Sequence, residues 1–223
     1  MKKLIAVIPA RKGSKRLPNK NILDFGESNL LIHKIRQLKK LNQIDEIIVS
    51  TDSDEMIEMA KQENVSFQRR PDEFCDEKTK SFPEVVEYIS STLPEKNILW
   101  ANCVCPLIKI ESFKKAIETF QNLPPENDSV VSSILMKEYI LDKENKPVNF
   151  SFEQHVPTQK LPNWHIVING FFIASSKNMK KWKFVYGKKP KLIEVSKLEA
   201  IDIDDKEDLI LARQIYKNIG KEL

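Results

Sequence analysis

Leu4-Ile5-Ala6-Val7-Ile8 runs without a break into Pro9-Ala10-Arg11-Lys12-Gly13-Ser14-Lys15-Arg16-Leu17-Pro18-Asn19-Lys20-Asn21. This junction decides the fold. Five consecutive apolar residues are too few for a helix and carry no alternation, so they read as a strand buried on both faces. A basic loop then follows at the carboxyl end of that strand, where open parallel sheets bind their ligands. Arg11 to Lys20 contains five basic residues, one glycine and one serine. Gly13 lets backbone N–H groups turn toward an oxyanion, while Arg11, Lys15 and Lys20 supply countercharge. The loop has neither Walker A nor GxGxxG spacing, which disfavours a P-loop enzyme and a dinucleotide dehydrogenase.

Outward from this junction, apolar runs alternate with helical patterns. Glu46 to Ser50, Asn97 to Ala101 and Ser129 to Leu135 read as strands. Asn29 to Leu41, Ser53 to Gln62, Ser81 to Leu93 and Ile110 to Gln121 read as helices. The alternation predicts an α/β fold, a Rossmann-like, mostly parallel sheet sandwiched by helices. From Met136 to Ile168 the pattern breaks into prolines and mixed polar and apolar residues, which reads as a small inserted hairpin lobe. Gly170 to Ala174 and Lys191 to Val195 then resume as strands, and Asp205 to Ile219 forms the last helix. The whole chain, 1–223, is expected to form a single domain with that lobe inside it.

Composition removes several classes. Lys and Arg exceed Asp and Glu by 36 to 32, too small an imbalance for a dedicated nucleic-acid binder. Lys177 to Lys191 carries seven lysines and no acid, and reads as a solvated basic edge. No stretch is long and apolar enough for a membrane span, so no membrane contact is expected. The run from Leu4 to Ala10 contains Pro9 and ends in a basic loop, unlike a secretory signal. Three cysteines make no disulfide framework, so a reducing cytoplasm is the expected location. Cys103 and Cys105 have no second cysteine pair or histidine cluster beside them, and read as core packing. His33 reads as a helix-surface residue, and His165 as lying near the pocket.

Ile8-Pro9-Ala10-Arg11-Lys12-Gly13-Ser14-Lys15-Arg16-Leu17-Pro18-Asn19-Lys20-Asn21 resembles the opening motif of the acylneuraminate cytidylyltransferases, the CMP-sialic acid synthetase family. Ile48 to Asp54, Arg69-Arg70-Pro71 and Ile168 to Ile173 resemble further motifs of the family in the same order. The resemblance implies a nucleotidyltransferase that binds CTP through Ala10, Arg11, Gly13, Ser14, Lys20, Asn21 and Arg70. It implies dimerisation through the inserted lobe, mapped to about residues 136–168, and hence a homodimer.

Ala200 to Leu209 carries alternating carboxylates. In extended chain, Asp202 and Asp204 point to one face and can share an ion, and two hard oxygens plus phosphates suit Mg²⁺. The competing reading is a helix cap, preferred for Asp205. The resemblance identifies Ile201-Asp202-Ile203-Asp204 as the family's metal signature, so Asp202 and Asp204 are the expected metal ligands.

Two motifs depart from the family. Asn102-Cys103-Val104-Cys105-Pro106-Leu107-Ile108 stands where the resemblance leads one to expect a Gln-Pro-Thr-Ser-Pro-Leu-Arg type of segment. Thr158-Gln159-Lys160-Leu161-Pro162 has threonine where an arginine clamps the sugar carboxylate. The expected reaction is transfer of CMP from CTP to a hydroxyl of an acidic, nonulosonic-acid-like sugar, releasing pyrophosphate. Arg11, Lys20, Asp202 and Asp204 are the expected catalytic residues, and Asn102, Gln159 and Asn169 orient the acceptor. The departures keep two alternatives open: a same-fold enzyme for another acceptor, such as a sugar phosphate or hydroxy acid, or a non-catalytic CTP-binding subunit.

Overall fold

The computed structural model describes residues 4–14, 16–76 and 78–220. In chain order it has β1 (Leu4–Pro9), a hairpin of β2 (Asp24–Phe25) and β3 (Ser28–Asn29), α1 (Leu30–Lys39), β4 (Glu46–Thr51) and α2 (Asp54–Gln62). There follow β5 (Ser66–Arg69), α3 (Phe82–Thr92), β6 (Asn97–Ala101), α4 (Ile110–Gln121) and β7 (Ser129–Met136). The chain ends with β8 (Trp164–Ser175), α5 (Ser176–Trp182), β9 (Pro190–Glu194) and α6 (Lys206–Ile219).

Seven strands form one sheet in the order β5-β4-β1-β6-β8-β7-β9. The pairs β1–β4, β4–β5, β1–β6 and β7–β9 are parallel, so β8 alone runs against the rest. This is the expected mostly parallel α/β sandwich. Successive residues of β1 enter opposite cores, as strand geometry requires. Ala6 and Ile8 join Leu31, Ile35 and Leu38 of α1 and Phe113 of α4. Ile5 and Val7 join Val86 and Ile89 of α3 and Met179 of α5. Both faces are covered, which explains the unbroken apolar run.

Helix starts follow local chemistry. Ser53 accepts from Met56 N at the start of α2, and Ser81 and Glu84 form a capping box with Pro83 in the first turn of α3. Asp205 caps α6 by accepting from the N–H groups of Glu207 and Asp208. The cap reading of Asp205 therefore holds.

Two expectations change. The lobe ends earlier, because β8 begins at Trp164 and pairs residues 164–167 with β7. What remains between β7 and β8 does contain a small hairpin, bridged at Leu141 and Pro147. Residues 177–182 of the lysine-rich stretch lie in helix α5 with Met179 buried, and its lysines are exposed, as a solvated edge requires. His33 is not a free helix-surface side chain. It packs in a mutual cluster with Phe25 and Tyr216, with ring centroids 5.0 and 5.3 Å away, and its Nε2 lies 2.9 Å from Pro106 O.

From β1 the chain crosses to β4 and β5 on one side, then returns to β6 on the other. The sheet thus reverses its winding between β1 and β6, and a crevice opens beyond their carboxyl ends.

Candidate active site

Two chambers, of about 460 and 450 Å³, meet in that crevice and share Lys20, Phe82, Asn102 and Val104. A larger depression of about 1040 Å³, lined by Asp24, Lys40, Arg213 and Tyr216 among others, contains none of the motif residues.

The first chamber is built on the loop after β1. Its backbone is tied down at both ends: Ala10 N donates to Ser50 O at 2.9 Å, and Asn21 Nδ2 donates to Arg11 O at 3.1 Å. Lys12 N donates to Asp52 Oδ1 at 2.9 Å. Arg11, Ser14, Lys20, Asn21 and Arg70 all reach this chamber. Arg11 donates to Cys75 O at 3.0 Å, and Arg70, only 4% exposed, aims its Nε at Cys75 Sγ at 3.0 Å. Two guanidiniums are therefore oriented by one residue, Cys75, whose thiol burial pushes above its ordinary pKa and leaves un-ionised. Ala10 is fully buried and its N–H is already taken, so only its carbonyl remains available. Gly13 does not line either chamber; a Cβ built there meets nothing within 4 Å. Lys15 lies outside the described residues.

At the junction of the chambers stands the acidic segment. Ile203 N donates to Val104 O at 2.9 Å and its side chain is fully buried, which fixes the flanking aspartates. Lys20 Nζ donates to Ile203 O at 2.7 Å and to Asp204 Oδ1 at 3.2 Å. Arg16 also reaches Asp204 Oδ1, at 2.7 Å. Asn169 Nδ2 donates to Asp202 Oδ2 at 2.7 Å. The other oxygen, Asp202 Oδ1, is buried without a hydrogen-bond partner. Burial pushes the Asp202 carboxyl above the usual carboxylate range; the Asn169 bond opposes this and the charge of Asp204 adds to it. A desolvated carboxylate with an unsatisfied oxygen, beside a second carboxylate, is short of positive charge. The donor set fits a hard divalent cation. Among the described residues no group of three or more His, Cys, Asp or Glu side chains could hold a metal, so the remaining ligands would be phosphate oxygens and water.

The second chamber carries Asn102, Asn169, Asp202 and Asp204 on one hand and Val167, Phe172, Phe184 and Tyr186 on the other. Asn102 is held from both sides: its Oδ1 accepts from Trp100 Nε1 at 3.2 Å, and its Nδ2 donates to Asn169 O at 3.0 Å. Gln159, expected here, is exposed in a 3₁₀ turn (Thr158–Lys160) on the segment between β7 and β8 and lines neither chamber; Thr158 and His165 do not line them either. Ile108 is fully buried against Gly170 and faces the core. Its replacement of an arginine therefore repacks the interior and strips nothing from the cleft wall. Cys103 and Cys105 are buried as expected of packing residues, and burial pushes the Cys103 thiol up to about 12.

A support that sequence reasoning missed lies behind this wall. Helix α1 grips the backbone of the segment after β6: His33 reaches Pro106 O, Lys34 Nζ donates to Cys105 O at 3.0 Å, and Gln37 Nε2 donates to Ile108 O. Lys34 is completely buried, and burial lowers its pKa to about 8. Glu199 is a second hidden support, accepting from Lys109 N and Ser196 N at 3.0 Å just before the acidic segment. A lone lysine in an amphipathic helix, or one glutamate in a turn, carries no sequence signal of burial.

The cytidylyltransferase family model matches residues 5–160, more than half of the chain and all of the first chamber's loops. The chain belongs to the cytidylyltransferase family. It is an enzyme that transfers nucleotidyl groups, and the resemblance read from its opening loop is thereby upheld. This cytidylyltransferase is similar to the pseudaminic acid cytidylyltransferase of Campylobacter jejuni, 27% identical over 96% of this chain and 97% of that one. It is similar to the CMP-N,N'-diacetyllegionaminic acid synthase of Legionella pneumophila, 26% identical over 96% and 97%. The N-acylneuraminate cytidylyltransferase of Escherichia coli is 26% identical over 99% of this chain and 54% of that one. In fold it is similar to a CMP:2-keto-3-deoxy-manno-octonic acid synthetase complexed with CTP, with a TM-score of 0.70 at 12% identity, covering 99% of this chain and 100% of that chain. Among the described residues, no helix is long and apolar enough to cross a membrane.

Proposed function

We propose that this cytidylyltransferase transfers CMP from CTP to a hydroxyl of a nonulosonic acid, a nine-carbon 2-keto sugar acid, and releases pyrophosphate in a Mg²⁺-dependent reaction. The observation that carries this reading is the meeting of a cation-lined chamber and a second chamber at Lys20, which both share and which binds Asp204 of the second. The names of the relatives, which are sialic-, pseudaminic- and legionaminic-type synthetases, support the acceptor class.

In this reading Arg11, Arg70, Ser14 and the loop backbone hold the triphosphate, and Asn21 keeps the loop closed by binding Arg11 O. Lys20, shared by both chambers, sits where the α-phosphate would meet the acceptor. Asp202 and Asp204 would hold the cation. Bound there, Mg²⁺ would draw charge from the α-phosphate oxygens and make the acceptor hydroxyl more acidic. Asn102 and Asn169, each fixed by another group, orient the acceptor. The hydroxyl oxygen bonds to the α-phosphorus, the bond from that phosphorus to the β-phosphate oxygen breaks, and the hydroxyl proton leaves to water. The protein's contribution is positioning and charge neutralisation, the two effects that dominate phosphoryl-type transfers.

The segment between β7 and β8 is read as the dimerisation arm of a homodimer, because a single chain leaves its Leu141, Val148 and Phe152 exposed, Phe152 by 74%. Light scattering of the purified protein tests this; a monomer at micromolar concentration removes it. Free, buried Cys75, Cys103 and Cys105 suit the cytoplasm as its compartment. The transfer itself is tested by incubating the protein with CTP, Mg²⁺ and a panel of nonulosonic acids, 3-deoxy-octulosonate and sugar phosphates. Pyrophosphate release with a nonulosonic acid is expected. Release only with a sugar phosphate would move the acceptor class, and CTP binding without release over the whole panel would leave a binding subunit.

A further inference from the structure

The second chamber is walled by aromatic rings. Phe82, Phe172, Phe184 and Tyr186 line it together with Val167. The rings form one connected surface: Phe172 stacks on Tyr186 at 5.7 Å, Phe184 meets Tyr186 edge-on at 4.9 Å, and Phe82 meets Phe184 edge-on at 5.8 Å. Phe82 and Phe184 nevertheless stay 48% and 37% exposed. Continuous aromatic surface left open in a concave site serves to cover an apolar part of a ligand.

The polar members of the chamber are engaged with one another: Lys20 with Asp204, Asn169 with Asp202, and Asn102 with the Asn169 carbonyl. They suit the reacting end of the acceptor. The ring wall holds only one hydrogen-bonding side chain, the Tyr186 hydroxyl. A hydroxyl pressed against that wall would lose water without a replacement partner, whereas a methyl or an acyl group would gain by burial.

Resting on the transfer reading above, we propose that this aromatic wall selects sugar acids whose side chain beyond the ring carries a terminal methyl and N-acyl groups in place of free hydroxyls. Val167, Phe172, Phe184 and Tyr186 line only the second chamber, so their effect falls on acceptor recognition and leaves CTP binding untouched.

The test compares N-acetylneuraminate with its counterpart of the same stereochemistry that carries an acetamido group at C7 and a methyl at C9. Pyrophosphate release is followed with CTP and Mg²⁺. A preference of about 10- to 100-fold in kcat/KM for the methyl-terminated acid is expected, the range a hydrophobic pocket achieves against an added hydroxyl. Phe184→Ser, at a partly exposed position, and the near-isosteric Val167→Thr are each expected to narrow that ratio by raising KM for the methyl-terminated acid, with KM for CTP unmoved. Equal kcat/KM for the two acids, or a ratio unmoved by both substitutions, would overturn this proposal and leave the transfer reading standing. No pyrophosphate from either acid would overturn the transfer reading and this proposal with it.

Discussion

Lys20 Nζ lies 3.2 Å from Asp204 Oδ1, which joins two loops 184 residues apart in the chain, one of them carrying a residue that lines both chambers. Lys20→Met keeps the length of the stem and removes the charge. Turnover is expected to fall about 10²- to 10³-fold, the usual loss of one positioned donor to a charged transition state. Steady-state kinetics check it: an unchanged kcat would take Lys20 out of the reaction.

Asp202→Asn and Asp204→Asn separate metal binding from folding. Asp202 is a desolvated carboxylate with an unpartnered oxygen, so its neutral replacement is expected to leave the melting temperature of the metal-free protein unchanged or slightly raised. Turnover in both variants should fall by orders of magnitude, and the Mg²⁺ concentration for half-maximal rate should rise. CTP affinity without metal should change less, because Arg11, Arg70 and Lys20 remain. Normal pyrophosphate release at low Mg²⁺ in Asp204→Asn would leave that residue only its contacts with Arg16 and Lys20.

Gly13→Ala adds a methyl that meets nothing within 4 Å, so stability should stay within about 0.5 kcal/mol of wild type. If the loop backbone cradles phosphates, that methyl projects into the ligand's space, and KM for CTP should rise about tenfold. Thermal melts and CTP titrations, run on the same preparation, check both halves.

Ile108→Arg would not rebuild a sugar clamp. The site is fully buried, and a Cβ on neighbouring Gly170 would already come within 2.8 Å of Ile108 Cδ1. An unpaired guanidinium there should cost more than about 4 kcal/mol, a fall of roughly 10 °C or more in melting temperature for a chain of this size. Thr158→Arg, by contrast, lies on the segment between β7 and β8 and should be near neutral for stability. Comparable melts for the two variants would contradict the burial of Ile108.

His33 makes stability fall in acid. Burial lowers its pKa from the ordinary 6.5 to about 4, with Lys34 and Lys40 pressing the same way and the Pro106 carbonyl opposing. Tyr216 and Phe25, which meet the ring edge-on, bring no charge. A depressed folded-state value means the contribution is complete above pH 6.5 and is lost as the pH falls toward 4, by an amount on the order of 3 kcal/mol. Denaturant melts across that window should show a slope that His33→Gln lacks.

Elements whose side chains all enter the core were legible in the sequence. β1, β4 and β6 are apolar runs because helices cover both faces, and Asp205 announced its cap by its position before α6. β5 was not legible: Ser66, Phe67 and Arg69 are exposed at the sheet edge, so no apolar run marks the strand. The start of β8 was hidden for a related reason, since residues 165–167 are exposed beyond the reach of β6. α5 was masked by its lysines. At the site, the residue types converging on the crevice could be read from contiguous motifs, but which of them touch could not. The links from Lys20 to Asp204, Arg70 to Cys75 and Asn169 to Asp202 exist only after residues far apart in the chain meet. Ile108 misled for the same reason: a motif position does not reveal which way its side chain turns.

Helix α1 holds the segment after β6 by its carbonyl oxygens, through His33, Lys34 and Gln37. Every residue type offers the same carbonyl. The course of that segment is therefore insulated from its own side chains, and Asn102 and Val104 face the cleft from a scaffold whose shape another element dictates. A change at Lys34, which lines neither chamber, would therefore disturb the wall that Asn102 and Val104 present to the cleft.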